Sequence, residues 1–328
     1  MAVSIAFACG DYDRTRALRD GRVVADGIDL TYVPLIPEEL FFRQIRFREF
    51  EAAELSFANT IILQSRGESP FVALPVFPSR FFRHGFIWVS ARSGITRPEE
   101  LRGKRIGVPE YHLTAAVWLR GALEDDFGLR PEDVHWLEGG LNEPHRQSRL
   151  EVRPEGVRIE PIPAGRTLNE MLVAGELDAV MAARYPRAFE AGDPAVRRLF
   201  PDYPSVERDY YRRHRNFPIM HCVVLRRDVY ERYPWVAPSL CKALSAAKRL
   251  ALEGMWDTGA LPLALPWLLP QIEELRDLVG VDFWPYGFEA NRHDIETLIA
   301  YLRRQKMLAR EVSAEEVFAP NTLVEPKL

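Results

Sequence analysis

The feature that most limits how this chain can fold is a recurring order of a short apolar run, a polar loop at its carboxyl end, a helical stretch and another apolar run. Ser4 to Ala8 reads as a strand that runs into the loop Cys9-Gly-Asp-Tyr-Asp-Arg-Thr15; after a short helix, Gly27 to Val33 reads as the next strand. Leu40, Phe41, Ile45 and Phe47 fall in helical spacing within residues 37–49, and Ala53 to Phe57 forms a short strand ending in polar residues. Strand, helix, strand in succession predicts a mostly parallel sheet covered by helices, with ligand positions at the carboxyl ends of the strands.

A second series begins near Ser93. Thr96-Arg-Pro-Glu99 offers a capping box, Gly103 a stop, and Lys104 to Val108 a strand; the turn Pro109-Glu-Tyr-His-Leu-Thr114 then opens a helix. Val134 to Leu137 is another strand, residues 143–155 a charged loop, Thr167-Leu-Asn-Glu170 a helix cap, and Leu177 to Met181 a strand with Arg184 just past its end. Phe217 to Leu225 is strongly apolar, a long helix follows over residues 234–252, and Asn291 opens a last one. At 328 residues, two domains are expected. If the strands near residues 84–90 and 218–225 carry the chain between lobes, residues 1–88 and 220–328 form a discontinuous first lobe and 89–219 an inserted second one. That is an α/β, two-lobed type II periplasmic-binding-protein-like topology, each lobe a mostly parallel sheet flanked by helices, with a hinge between lobes closing a polar cleft.

Charge narrows the partners. The 43 Lys and Arg against 47 Asp and Glu leave a net charge of -4, so a nucleic-acid partner is not expected. Among the basic residues the only lysines are Lys104, Lys242, Lys248, Lys306 and Lys327, and arginine is the better fork for carboxylates. Cys9, Cys222 and Cys241 match no disulfide framework, zinc or redox spacing. The amino-terminal run reads as a first strand and not as an export signal, and the most apolar stretch, Leu261 to Leu269, is broken by Pro262 and Pro266. A cytoplasmic protein with no membrane partner is the expectation, with the edges of both lobes available for a homo-oligomer.

Several segments together resemble the 4,5-dihydroxyphthalate decarboxylase family: Cys9 to Thr15, Glu54-Leu-Ser56, Pro75-Val-Phe-Pro-Ser-Arg-Phe-Phe-Arg-His84, Gly107-Val-Pro-Glu-Tyr111, Pro218-Ile-Met-His221 and Trp284-Pro-Tyr-Gly287. The block ending in Arg83-His84 is the most specific, whereas Gly175-Glu-Leu-Asp178 occurs throughout the wider fold. The resemblance implies loss of one carboxylate from a hydroxylated aromatic ortho-dicarboxylate, most readily 4,5-dihydroxyphthalate to 3,4-dihydroxybenzoate and carbon dioxide, without an organic cofactor. Two readings stay beside it: a binding protein delivering a carboxylated solute to an ABC-type transporter, and an enzyme of the same fold acting on another ring acid. A hydrolase is disfavoured, for neither Gly-x-Ser-x-Gly nor His-Glu-x-x-His is present.

The chemistry needs a base, an acid and an anion clamp. His84 and His221 are the candidates for the ring proton, histidine being suited to proton transfer near neutral pH. Glu54 or a histidine is the candidate acceptor of a phenolic proton; Glu54 alternates with Leu55 and so faces the same side as Ser56. Tyr12 and Arg14 occupy the first strand's loop, Arg80 is a clamp for the retained carboxylate, and His112, Thr114 and Arg184 are the second-lobe contacts. Arg83 is expected to pair with a surface acid. His135, His145, His214 and His293 are read as structural or solvated, and Trp88, Trp118 and Trp284 are given no chemistry. No metal ligands are assigned: Asp11 and Asp13 are a weak signal, and use of a divalent ion is left open.

Overall fold

A computed structural model of the chain describes residues 2–67, 69–144 and 150–324. They divide into two compact units, the first comprising 1–80, 221–296 and 312–328, the second 81–220 and 297–311. Residues 297–311 thus join the second unit and not the first, as the sequence had suggested. The reason is local packing: Tyr301 meets the Trp118 ring edge-on at 5.4 Å and donates to Asp125, while Gln305 accepts from the buried Arg120 at 2.7 Å.

In the first unit, β1 (Val3–Cys9), β2 (Ile28–Pro34), β3 (Ala52–Ser56), β4 (Phe71–Arg80) and a returning strand, Ile219–Arg226, make one sheet in the order β2, β1, β3, returning strand, β4. β1 runs parallel to both β2 and β3, and the returning strand is antiparallel to β3. Every residue of β3 is buried, as befits a central strand covered on both faces. No element is assigned to residues 71–80 from the sequence; the structure places β4 there, at the sheet's edge, where Pro75 and Pro78, which lack backbone donors, are tolerated.

The second unit's sheet contains β5 (Ile87–Ser90), β6 (Arg105–Val108), β7 (His135–Glu138), β8 (Ile159–Pro161), β9 (Ala179–Met181) and β10 (Val196–Arg198), which makes the returning strand β11. Its order is β10, β5, β9, β6, β7, β8, parallel from β9 to β8, with β5 antiparallel to both neighbours. Trp88, Leu168, Leu172 and Val180 anchor one core cluster there. Thr167 caps its helix as the sequence predicts, its hydroxyl accepting from Glu170 N–H while Glu170 reaches back to Thr167 N–H. At the other box the capping acid is Glu100, one residue later than Glu99; its carboxylate accepts from the N–H groups of Thr96 and Arg97.

Candidate active site

The polar centre of the first unit is built where β1 and β3 end. Glu54 is wholly buried, so its charge requires full compensation. One oxygen accepts from the Gly10 N–H at 2.9 Å and the Cys9 thiol at 3.4 Å; the other accepts from the Tyr12 hydroxyl at 2.6 Å and His221 Nδ1 at 2.5 Å. Burial by itself raises the Glu54 pKa, but His221, Tyr12 and the Gly10 N–H outweigh it and hold the carboxyl below its ordinary range. Burial and the neighbouring carboxylate push the Tyr12 phenol and the Cys9 thiol up, so both remain protonated donors.

Strand register explains the central pair. His221 stands opposite Ser56 and Val223 opposite Glu54 in the antiparallel β3–β11 ladder, which puts His221 and Glu54 diagonally on one face. A carboxylate only accepts, so Nδ1 carries the proton and the imidazole is oriented by Glu54. Phe41 meets the ring edge-on at 4.8 Å, fixing it from another side. Nε2 has no hydrogen-bonding partner among the described residues, and the side chain keeps 17% of its surface exposed.

The loop after β1 is shaped around Tyr12. A Cβ on Gly10 would lie 2.7 Å from the Tyr12 ring, so only glycine admits the phenol to Glu54. Tyr32 donates to the Gly10 carbonyl at 2.6 Å and pairs with the Thr15 hydroxyl at 2.8 Å, tying both ends of the loop. Arg14 lies between two rings, Tyr12 at 4.2 Å and Trp284 at 4.3 Å from their centroids. It also donates to the Pro78 carbonyl through Nε and Nη2 and to Asp13 through Nη1. Three of its five N–H groups are thereby used, and the fork keeps donors for an anion. Trp284, given no chemistry from the sequence, therefore lies against Arg14 in this polar centre; its indole N–H donates to the Phe77 carbonyl at 3.0 Å.

Several expected site residues have settings the sequence could not show. Each Glu54 oxygen already accepts two donors. Arg80 is buried and bound to Asp294 at 2.9 Å and to the Pro285 carbonyl at 3.3 Å. His84 belongs to the second unit, where Phe200 and Tyr210 surround its ring; burial lowers its pKa to about 4, so near neutral pH the ring is neutral. Arg83 donates to the Ala183 carbonyl at 3.1 Å, with its guanidinium near the Phe81 and Phe86 rings.

Ser56 caps the helix Phe57–Ser65, its hydroxyl accepting from Asn59 N–H at 3.5 Å. His112 and Thr114 are buried at the turn into the helix Thr114–Phe127, and Arg184 is exposed just past β9. His135 pairs with Glu160 and His214 with Asp126, His293 is exposed, and His145 lies outside the described residues. Among the described residues no three His, Cys, Asp or Glu side chains gather as a metal-binding group, and no helix is long and apolar enough to cross a membrane.

Comparison with known proteins supplies the family. No family model matches the chain. A 4,5-dihydroxyphthalate decarboxylase of Comamonas testosteroni is 40% identical over 322 residues, 98% of each chain, and one of Pseudomonas putida is 43% identical over 211 residues, 64% of this chain and 82% of the relative. Among solved structures, the aliphatic sulphonate binding protein SsuA of Escherichia coli aligns with a TM-score of 0.54 at 13% identity, over 98% of this chain and 99% of that one. A cysteine-to-serine variant of DSZB in complex with biphenyl-2-sulfinic acid aligns with a TM-score of 0.52 at 14% identity, covering 98% of both chains. These likenesses give the fold, a two-lobed type II periplasmic-binding-protein-like α/β architecture. With 40% identity along nearly its whole length, the chain belongs to the 4,5-dihydroxyphthalate decarboxylase family.

Proposed function

We propose that the chain is a non-oxidative decarboxylase that converts 4,5-dihydroxyphthalate to 3,4-dihydroxybenzoate and carbon dioxide, with His221 as the proton donor. The observation that carries this reading is the Glu54–His221 pair: a buried, ionised carboxylate holds one ring nitrogen and leaves Nε2 without a partner among the described residues.

Carboxylate loss from an aromatic ring needs a proton on the carbon that bears the leaving group. In 4,5-dihydroxyphthalate that carbon is para to a hydroxyl, which can release its proton to solvent and push electron density towards it. Protonated His221 delivers the Nε2 proton to that carbon, and Glu54 stabilises the imidazolium beforehand. The carbon–carboxylate bond then breaks, its electron pair restores the aromatic ring, and carbon dioxide leaves. The hydroxyl regains its proton, so the net reaction consumes one proton, which His221 recovers from solvent. A positioned acid of this kind contributes on the order of 10²–10⁴-fold.

Arg14 grips the carboxylate that stays, its planar fork held in one orientation by Tyr12 and Trp284. These groups supply acid–base and anion-binding chemistry, and we propose that no organic cofactor takes part. A cytoplasmic location agrees with free thiols at Cys9, Cys222 and Cys241. The binding-protein reading has weaker support, since the transporter-type structure shares 13% identity where the decarboxylase shares 40%.

Incubation of the purified protein with 4,5-dihydroxyphthalate, with and without a chelator, tests the assignment by carbon dioxide release and by ultraviolet absorbance of the product. Stoichiometric release in both samples is expected. Saturable binding without release would return the chain to the binding proteins, and loss of release with chelator would bring a metal into the mechanism.

A further inference from the structure

Lys248 is one of very few lysines in the chain and has an unusual setting. It projects from the helix Val236–Gly254 with only 10% of its side chain exposed, and its ammonium group donates to both oxygens of Asp282, at 2.9 and 2.7 Å, and to the Trp284 carbonyl at 3.0 Å. Asp282 in turn accepts from the Trp284 N–H at 3.3 Å. The ammonium's hydrogen bonds thus converge on residues 282–284, the short segment that carries the indole lying over Arg14, and the group also lies 5.0 Å from the centroid of the Tyr286 ring just beyond it.

Burying an ammonium group is costly unless its donors are satisfied. A buried lysine whose donors all serve one irregular segment fixes that segment's backbone. The segment and the residues just after it are also tied to β4, by the Trp284 indole on the Phe77 carbonyl and the Gly287 N–H on the Pro75 carbonyl at 2.8 Å. β4 also supplies the Pro78 carbonyl that holds Arg14. Lysine, strand and guanidinium therefore form one frame: β4 sets the position of Arg14 from one side, and Lys248 sets the indole that covers it from another.

We infer that Lys248 is a positioning residue for substrate binding, which acts by holding Trp284 over Arg14 and so keeps the guanidinium aimed at the retained carboxylate. The inference rests on the assignment of Arg14 as the anion clamp. Lys248 touches none of the reacting atoms, so its removal weakens substrate affinity and leaves the chemical step nearly intact.

The test is a double-mutant cycle on steady-state decarboxylation of 4,5-dihydroxyphthalate, with Lys248→Met, Arg14→Lys and the pair, each checked for folding by circular dichroism and thermal melting. Lys248→Met is expected to raise KM by about tenfold with kcat changed by less than about threefold, a split that a general loss of folded protein would not produce. Lys248→Arg, which can bridge Asp282 with its fork, should recover most of the KM. In the double variant KM should equal that of Arg14→Lys alone, because the lysine acts through the arginine. A folded Lys248→Met protein with unchanged KM, or KM effects that multiply in the double variant, would overturn the inference while leaving Arg14 as the clamp. An unchanged KM in Arg14→Lys would overturn the clamp assignment and the inference with it.

Discussion

His221 and His84 look alike in sequence: each comes shortly after apolar or aromatic residues, His221 within β11 and His84 just before β5, strands that run antiparallel to neighbours in their sheets. Their surroundings separate them. His221 meets a buried carboxylate through Nδ1 and keeps part of its ring exposed. His84 meets aromatic rings, and its Nδ1 is buried without a hydrogen-bond partner, so burial favours the neutral form. What makes a histidine a proton donor is therefore its partner and its access to solvent, not its place in a motif.

That contrast can be broken at its strongest point by Glu54→Gln. The amide is nearly isosteric but cannot stabilise an imidazolium, and kcat should fall by about 10²–10³-fold while the protein stays folded. Its stability should also change with pH in a defined direction. The Glu54 carboxyl is held below its ordinary value of 4.5, so the stability it contributes is present above that pH and is lost as pH falls through the lower folded value. Urea melts of the wild type should thus weaken in that acid range more than those of Glu54→Gln. Equal kcat in the two proteins would dissolve the distinction between the histidines.

The second unit supplies the next test. His84 is held at about 4 against an ordinary 6.5, so the neutral ring contributes stability that is complete above 6.5 and lost as pH falls from there to about 4. The amount is about 3 kcal/mol. His84→Phe, measured by chemical denaturation at pH 7 and pH 4.5, should remove most of that acid sensitivity. The smallest effect is expected for Tyr12→Phe, which deletes one of four donors to Glu54; a loss of about 1–2 kcal/mol in stability, and a fewfold fall in kcat, should follow.

Much of the frame was legible in the sequence because it depends on local signals. The strands at residues 3–9, 52–56 and 219–226, the Thr167–Glu170 cap and the shared face of Glu54 and Ser56 follow from periodicity and capping chemistry. β4 was hidden by Pro75 and Pro78, which are breakers everywhere except at a sheet edge. The site itself was legible only as a set of residues. Glu54 and His221 lie 167 residues apart, and their diagonal register arises only when β11 returns beside β3.

The same limit explains the misplaced roles. Arg80 has the chemistry of a clamp, but its partner Asp294 lies 214 residues further on. Nothing near Trp284 in sequence points to Arg14, although the segment Trp284-Pro-Tyr-Gly287 drew attention as a motif. Tyr32 carried no signal at all, since its role is to hold the backbone of a loop twenty residues earlier.

The most direct measurement is carbon dioxide release from 4,5-dihydroxyphthalate by the wild type, His221→Gln and His84→Phe, assayed side by side at pH 7 on proteins shown to be folded. The account predicts that His84→Phe stays within a fewfold of the wild type and that His221→Gln is slower by about 10³-fold. Activity retained in His221→Gln and lost in His84→Phe would contradict it.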